Sequence, residues 1–397
     1  MANRIWIGQA PLVTQESRAT PANVEIGDIF TLTLNTKTLS FTATAATVAN
    51  VTAGLTAAWN ALTSAGGYPE FEEITASDQT TYVKLLCDTS GLPFTVTGSA
   101  TNGGAAATET LTMSTPTAAT GPNHWDNAKN WSGNAVPIAA DDVYIDNSAV
   151  SILYGLAQSA VTLTSLTITN RYTGYIGLPT RNAGGYEEYR ATYMAISATT
   201  LTVGEGAGNG SGRIKIDVGS IQTALNIAAT GSQVEQSVPA LLFKGTHASN
   251  TADIAGGTVG IACLPAETST ILTLRQTGGT VLCGSGTTLT TVSKSAGTMT
   301  LNSAVTTLTQ EDGELYKLSG ATTTLNVNGG TVYYDSTGTI TTATVNNSGI
   351  LSFDRSNKAR TVTTLNLNDN GTVRDVLDVV TFTNSPAWKG VLKASPK

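Results

Sequence analysis

The sequence predicts a mainly β protein, in which a small α+β N-terminal domain is followed by a parallel β-helix of about ten coils. Three observations predict it. Composition is the first: of 397 residues, 69 are Thr and 40 are Gly, and only 12% are charged. Thr is stiff at χ1, fits a pleated surface and weakens helices, so a helical bundle or coiled coil is excluded. The second is an internal repeat. A Gly precedes a short alternating strand at 257, 279, 297, 313, 330, 349 and 371, with gaps of 22, 18, 16, 17, 19 and 22. A period near nineteen, varying only in the turns, belongs to stacked coils. The third is a second column of strands with the pattern Leu-x-Ile/Val/Leu, as in Leu166-Thr-Ile168, Leu201-Thr-Val203, Leu225-Asn-Ile227 and Leu325-Asn-Val327.

Residues 1–118 read as one attachment unit. Ile26–Asn35 and Thr38–Thr44 alternate across a polar turn and predict a hairpin. Val48, Val51, Leu55, Ala58 and Leu62 fall at helical spacing behind Thr47, a suitable N-cap. Strands at Thr81–Leu86 and Phe94–Thr97 complete a β-β-α-β-β sandwich, with 98–107 as a loop and 115–122 as a linker.

Residues 119–147 read as linker and cap. Trp125 and Trp131 stand immediately before the first repeat, where a stacked sheet exposes its interior, and large flat side chains can close it. A carbohydrate-binding aromatic pair is the competing reading. Residues 148–385 are the β-helix, right-handed by the preference of parallel crossovers, and 386–397 form a tail. Asn328, Asn346 and Asn368 recur at one turn and predict a stacked amide ladder. Cys263 and Cys283 lie on adjacent coils and are expected to stack as reduced thiols.

Little in the chain points to catalysis. Two His exclude most His-based metal sites and triads, and no cofactor motif stands out; Gly204–Gly212 lacks the Lys-Ser/Thr of a phosphate loop. The acids Asp141, Asp142, Asp146, Glu187, Glu188, Glu205 and Asp217 show no paired column of the kind glycoside hydrolysis needs. The expected catalytic, cofactor and metal sites are therefore none. The longest insertion, between Leu166 and Leu201, carries Tyr172, Tyr175, Tyr186, Tyr189 and Tyr193. Such a cluster reads as a subunit interface, a glycan contact or loop packing. Net charge is −7 with no basic run, which argues against nucleic acid. No apolar run approaches a membrane span, and the opening residues show no secretory h-region.

Glu25–Asn35, Val48–Leu55 and Pro69–Thr75 resemble a small domain of tail and particle-surface proteins of tailed bacteriophages and prophages. His124–Gly133 with Pro137 and Asp141–Asp146 is similar to the opening of β-helical phage fibre proteins. The resemblance implies a structural virion protein, either a capsid decoration or fibre or a tail fibre, assembled in the bacterial cytoplasm beside other virion proteins, and a homotrimer. A receptor-binding or polysaccharide-cleaving tailspike and a self-assembling bacterial surface filament are the alternatives, with a host-surface glycan as the further partner.

Overall fold

The computed structural model describes residues 2–63 and 67–390. Its backbone is a long parallel sheet wound into a solenoid. One face runs from Asp142–Ile145 through Ala157–Thr169, Met194–Glu205, Ala224–Ile227 and Thr251–Ile254 to Arg360–Asp369, each strand paired in parallel with the next. The opposing face runs from Ile214–Asp217 through Leu241–Lys244 and Thr258–Ile261 to Thr372–Arg374.

Register explains why this sequence folds so. Val143, Leu166, Leu201, Leu225, Ala252, Leu274, Val292, Leu308, Leu325, Ala343 and Leu365 are partners on successive rungs, and all are buried. The period-two alternation keeps every rung's apolar side chains inward, since a one-residue slip would turn them to water. From Ser269–Gln276 onward the first-face strands lengthen, and Ile271, Leu289, Val305, Thr322, Ile340 and Val362 form a further buried column. In Val305–Gln310 the buried residues are Val305, Leu308 and Gln310, so a three-residue step turns a corner. This column was not visible as a repeat, because it alternates Ile, Leu, Val and Thr without a fixed marker.

The Gly turns hold a left-handed backbone at Gly257, Gly279, Gly297, Gly313 and Gly330, with φ between 64° and 79°. At the next two rungs Asn347 (φ 50°) and Asp369 (φ 49°) take that conformation instead, ahead of Gly349 and Gly371. Asn and Asp are the side chains that best tolerate it.

Among the described residues the N-terminal unit holds seven strands and one helix, where the sequence pattern showed four strands. Glu16–Ala22, Ile74–Asp78 and Thr110–Thr117 were missed; the first carries Glu, Arg and Pro, which mask its alternation. The strands form two antiparallel sheets, the second being a three-stranded sheet of Lys37–Thr42, Ile29–Leu34 and Val96–Thr101. Strands therefore occupy parts of 98–107 and 115–122, expected as loop and linker. Helix α1, Val48–Leu62, is capped by Thr47, which accepts from Asn50 N at 3.3 Å. It buries Val51, Leu55 and Trp59, a stripe rotated from the predicted one because Trp59 reaches Phe71 and Ile74 O.

The chain's first residues do not belong to that unit's sheets. Asn3–Ile5 pairs in parallel with Asp142–Tyr144, and Trp6 enters the solenoid core. The N-terminal unit is thus looped out between the opening strand and the rest of the solenoid.

Candidate functional site

Chemistry concentrates at the end of the solenoid where the N-terminal unit sits. Trp6, Trp125 and Trp131 are fully buried there and meet edge to face, with centroids 5.1 Å (Trp6–Trp131) and 4.5 Å (Trp125–Trp131) apart. Trp131 Nε1 donates to Trp125 O at 2.7 Å, and Trp6 Nε1 to Val150 O at 3.0 Å. Three rings close the end of the ladder and share one core with it. Trp6 was missed, because it lies far from the Trp pair in sequence and no repeat points to it. Buried Asn130 ties the segment together: its side chain accepts from Ala10 N and donates to Gly121 O and His124 O.

The tyrosine-rich insertion reaches from the solenoid to the N-terminal unit. Tyr186 Oη donates to Glu73, and Arg190 binds Glu73 Oε2 at 2.6 Å and Glu188 Oε1 at 3.0 Å. Arg190 Nε also donates to Pro93 O at 2.6 Å. Tyr189 stacks on Tyr186, and the Arg190 guanidinium lies 4.4 Å from its centroid. Tyr172 is buried and donates to Tyr175 O at 3.0 Å. Tyr175 and Tyr193 are half-buried, with Arg213 at 4.5 Å and Lys244 at 4.2 Å from their ring centroids. None of the five is exposed; two of them, Tyr186 and Tyr189, help join two parts of the same chain.

Between Pro93–Thr95 and Leu153–Gln158 this junction leaves a cleft of about 460 Å³, walled also by Asp126, Tyr154 and Arg190. His124 Nε2 lies 2.8 Å from Gly91 O, bridging the N-terminal unit to the cap, and its ring sits 5.2 Å from that of Tyr154. Burial pushes the Tyr154 phenol up to about 12.

The sequence-predicted acids are dispersed. Asp141 accepts from Ala2 N and pairs with Arg4, Asp146 pairs with Arg171, and Asp217 lies 3.3 Å from Lys244. Glu205 lines a surface groove of about 240 Å³ together with Asn226, Asp253 and Arg275. Asn346 donates to Asn328 and Asn368 to Asn346, both at 2.8 Å, and Asn328 continues the ladder to Glu311. The three Cys are free; Cys283 stands over Ile261, so Cys263 lies outside its column, and burial pushes their thiols up to about 12 and 11. In the sequence the segment from Phe382 to Trp388 reads as a lower cap for the last coil; Phe382 packs against the solenoid core, and the side chain of Trp388 lies outside the described residues. Among the described residues no helix is long and apolar enough to cross a membrane.

Fold and junction together define a parallel β-solenoid protein with an inserted α+β unit at its capped end. Comparison with protein-family models, with curated proteins and with solved structures finds no match to this chain.

Proposed function

We propose that this chain is a non-enzymatic structural protein of a bacteriophage particle, a projecting capsid decoration or fibre or a tail fibre. The observation that carries the reading is the unbroken parallel ladder from Asn3–Ile5 to Ala387–Gly390, closed by tryptophans at the end that bears the N-terminal unit. Rungs about 4.8 Å apart make this a rod on the order of 50 Å long. Each coil leans only on its neighbours, which gives stiffness without a large globular core. In this reading the N-terminal unit attaches to other virion proteins and the right-handed rod projects as a homotrimer. Free thiols and a net charge of −7 fit assembly in a reducing bacterial cytoplasm without nucleic acid.

The test is quantitative electrophoresis and electron microscopy of purified particles. Hundreds of copies per particle are expected for a capsid site and a few to a few dozen for a tail site, each a rod with a knob at its base. Absence of the chain from washed particles overturns the proposal. A polysaccharide-cleaving tailspike has one specific observation in its favour, the groove that holds Glu205 and, two rungs on beyond Asn226, Asp253. Shortened chains after incubation with host-surface polysaccharide would select it.

A further inference from the structure

The junction cleft has features that a rod does not need. Its volume suits a small molecule or one ring of a larger one. Tyr154 lines it, and the His124 ring stands 5.2 Å from the Tyr154 ring. The Asp126 side chain, 57% exposed, lies over Gly155. Gly155 has φ +67°, and a Cβ added there would overlap Asp126 Oδ1, so this glycine makes the space that the carboxylate occupies. The His124 ring lies 3.6 Å away, and the Asp126 carboxyl is ionised at neutral pH, as an ordinary aspartate is.

Charge then decides what the cleft can accept. Arg190 is the one cation lining it among the described residues, and it is already held by Glu73 and Glu188. One guanidinium between two carboxylates leaves an excess of negative charge, and Asp126 adds to it. Anions are repelled, and a neutral ligand gains nothing from the carboxylate's field. A cation gains that field and an aromatic face as well.

We propose that this cleft is a binding site for a small organic cation, a primary or quaternary ammonium, with Asp126 as counter-ion and Tyr154 as its aromatic face. An amino sugar of a surface polysaccharide and a choline-type headgroup share this chemistry. The proposal stands apart from the virion reading, since the purified chain alone is what it concerns.

The experiment is ligand-detected NMR titration of the full chain with glucosamine and choline, against their uncharged counterparts glucose and 3,3-dimethylbutanol. At least one cation is expected to saturate with Kd on the order of 1 mM, and its neutral counterpart to bind at least tenfold more weakly. Whether glucosamine or choline binds tells the two sources apart. Asp126→Asn and Tyr154→Leu should each weaken the cation tenfold or more with an unchanged circular dichroism spectrum. Equal binding of cation and neutral counterpart, no saturation by either cation, or full affinity in a folded Asp126→Asn chain overturns the proposal. Should both variants fail to fold, the charged-versus-neutral comparison on the unaltered chain still decides it.

Discussion

Lys317 occupies an inward column between Leu301 and Tyr334, fully buried, and among the described residues it makes no ion pair. Its Nζ donates instead to the carbonyls of Ser303, Ser319 and Gly320, so the ammonium fills a cage of turn carbonyls. Lys294 does the same more simply, donating to Asp312 O at 2.7 Å, with Gln276 and Gln310 as its partners on the adjoining rungs. Burial pushes Lys317 down to about 7 and Lys294 down to about 8, from 10.5. The sign follows from proton counting. Above its folded value and below 10.5, each lysine holds a proton in the unfolded chain that it has shed in the folded one, so stability rises with pH there. Below the folded value both states are protonated and the penalty is constant. Denaturant unfolding between about pH 7 and 9 should therefore show stability increasing, by at most about 1.4 kcal/mol per pH unit for each lysine. The Lys294→Met/Lys317→Met double variant should flatten that slope; an unchanged slope would refute the assignment. Neither lysine was legible as a core residue, because Lys has no place in an apolar periodicity and its cage is made of backbone. The asparagine ladder was legible, since a side chain that bonds its own copy on the next rung must recur at the rung period.

Among the elements, those of the solenoid declared themselves through repetition and those of the N-terminal unit did not. Nine or more copies of one strand average out local ambiguity, whereas Glu16–Ala22 has a single copy and pairs on both sides, with Val83–Leu86 and with Thr110–Thr117. The Gly turns were readable for the same reason, and the structure supplies the cause. A Cβ at Gly279 would stand 2.5 Å from Gly257 O, and one at Gly313 2.5 Å from Gly297 O, so backbone stacks on backbone where no side chain fits. The insertion was legible as an interface but not as one within the chain, because sequence spacing does not reveal that Glu73 and Pro93 face it. Arg190 makes that junction testable. Its side chain is 7% exposed and binds Glu73, Glu188 and Pro93 O while covering Tyr189. Arg190→Ala takes the guanidinium away from two carboxylates and a carbonyl, a loss on the order of 3–5 kcal/mol. The N-terminal unit should then melt separately from the solenoid in calorimetry, and Tyr186→Phe should show the same separation more weakly. One transition at an unaltered temperature in Arg190→Ala would mean that the cap, not the insertion, holds the two parts together.

At the scale of the molecule, one continuous hydrophobic stack runs from the tryptophan cap to Val362, Leu365 and Leu367 near the other end. Such a ladder has no internal boundary at which half of it could stand alone with its apolar edge covered, since Trp6, Trp125 and Trp131 close its first end and not its middle. Stability is then carried by nearest-neighbour contacts, and a break in the middle exposes the interior on both sides of it. Ile261 is the sharpest place to make that break. It is fully buried between Phe243 and Cys283, with no charged residue on either adjoining rung of its column. A carboxylate there has no cation to meet and costs several kcal/mol by desolvation alone. The unaltered chain should melt above the ordinary mesophilic range of about 45–65 °C, while Ile261→Asp should lose the β signal of both halves together rather than shed one. Circular dichroism with limited proteolysis reads both outcomes: a soluble Ile261→Asp chain with an unaltered midpoint would mean that the side chain does not point inward. Survival of a protease-resistant half would mean that the rungs do not share one cooperative stack.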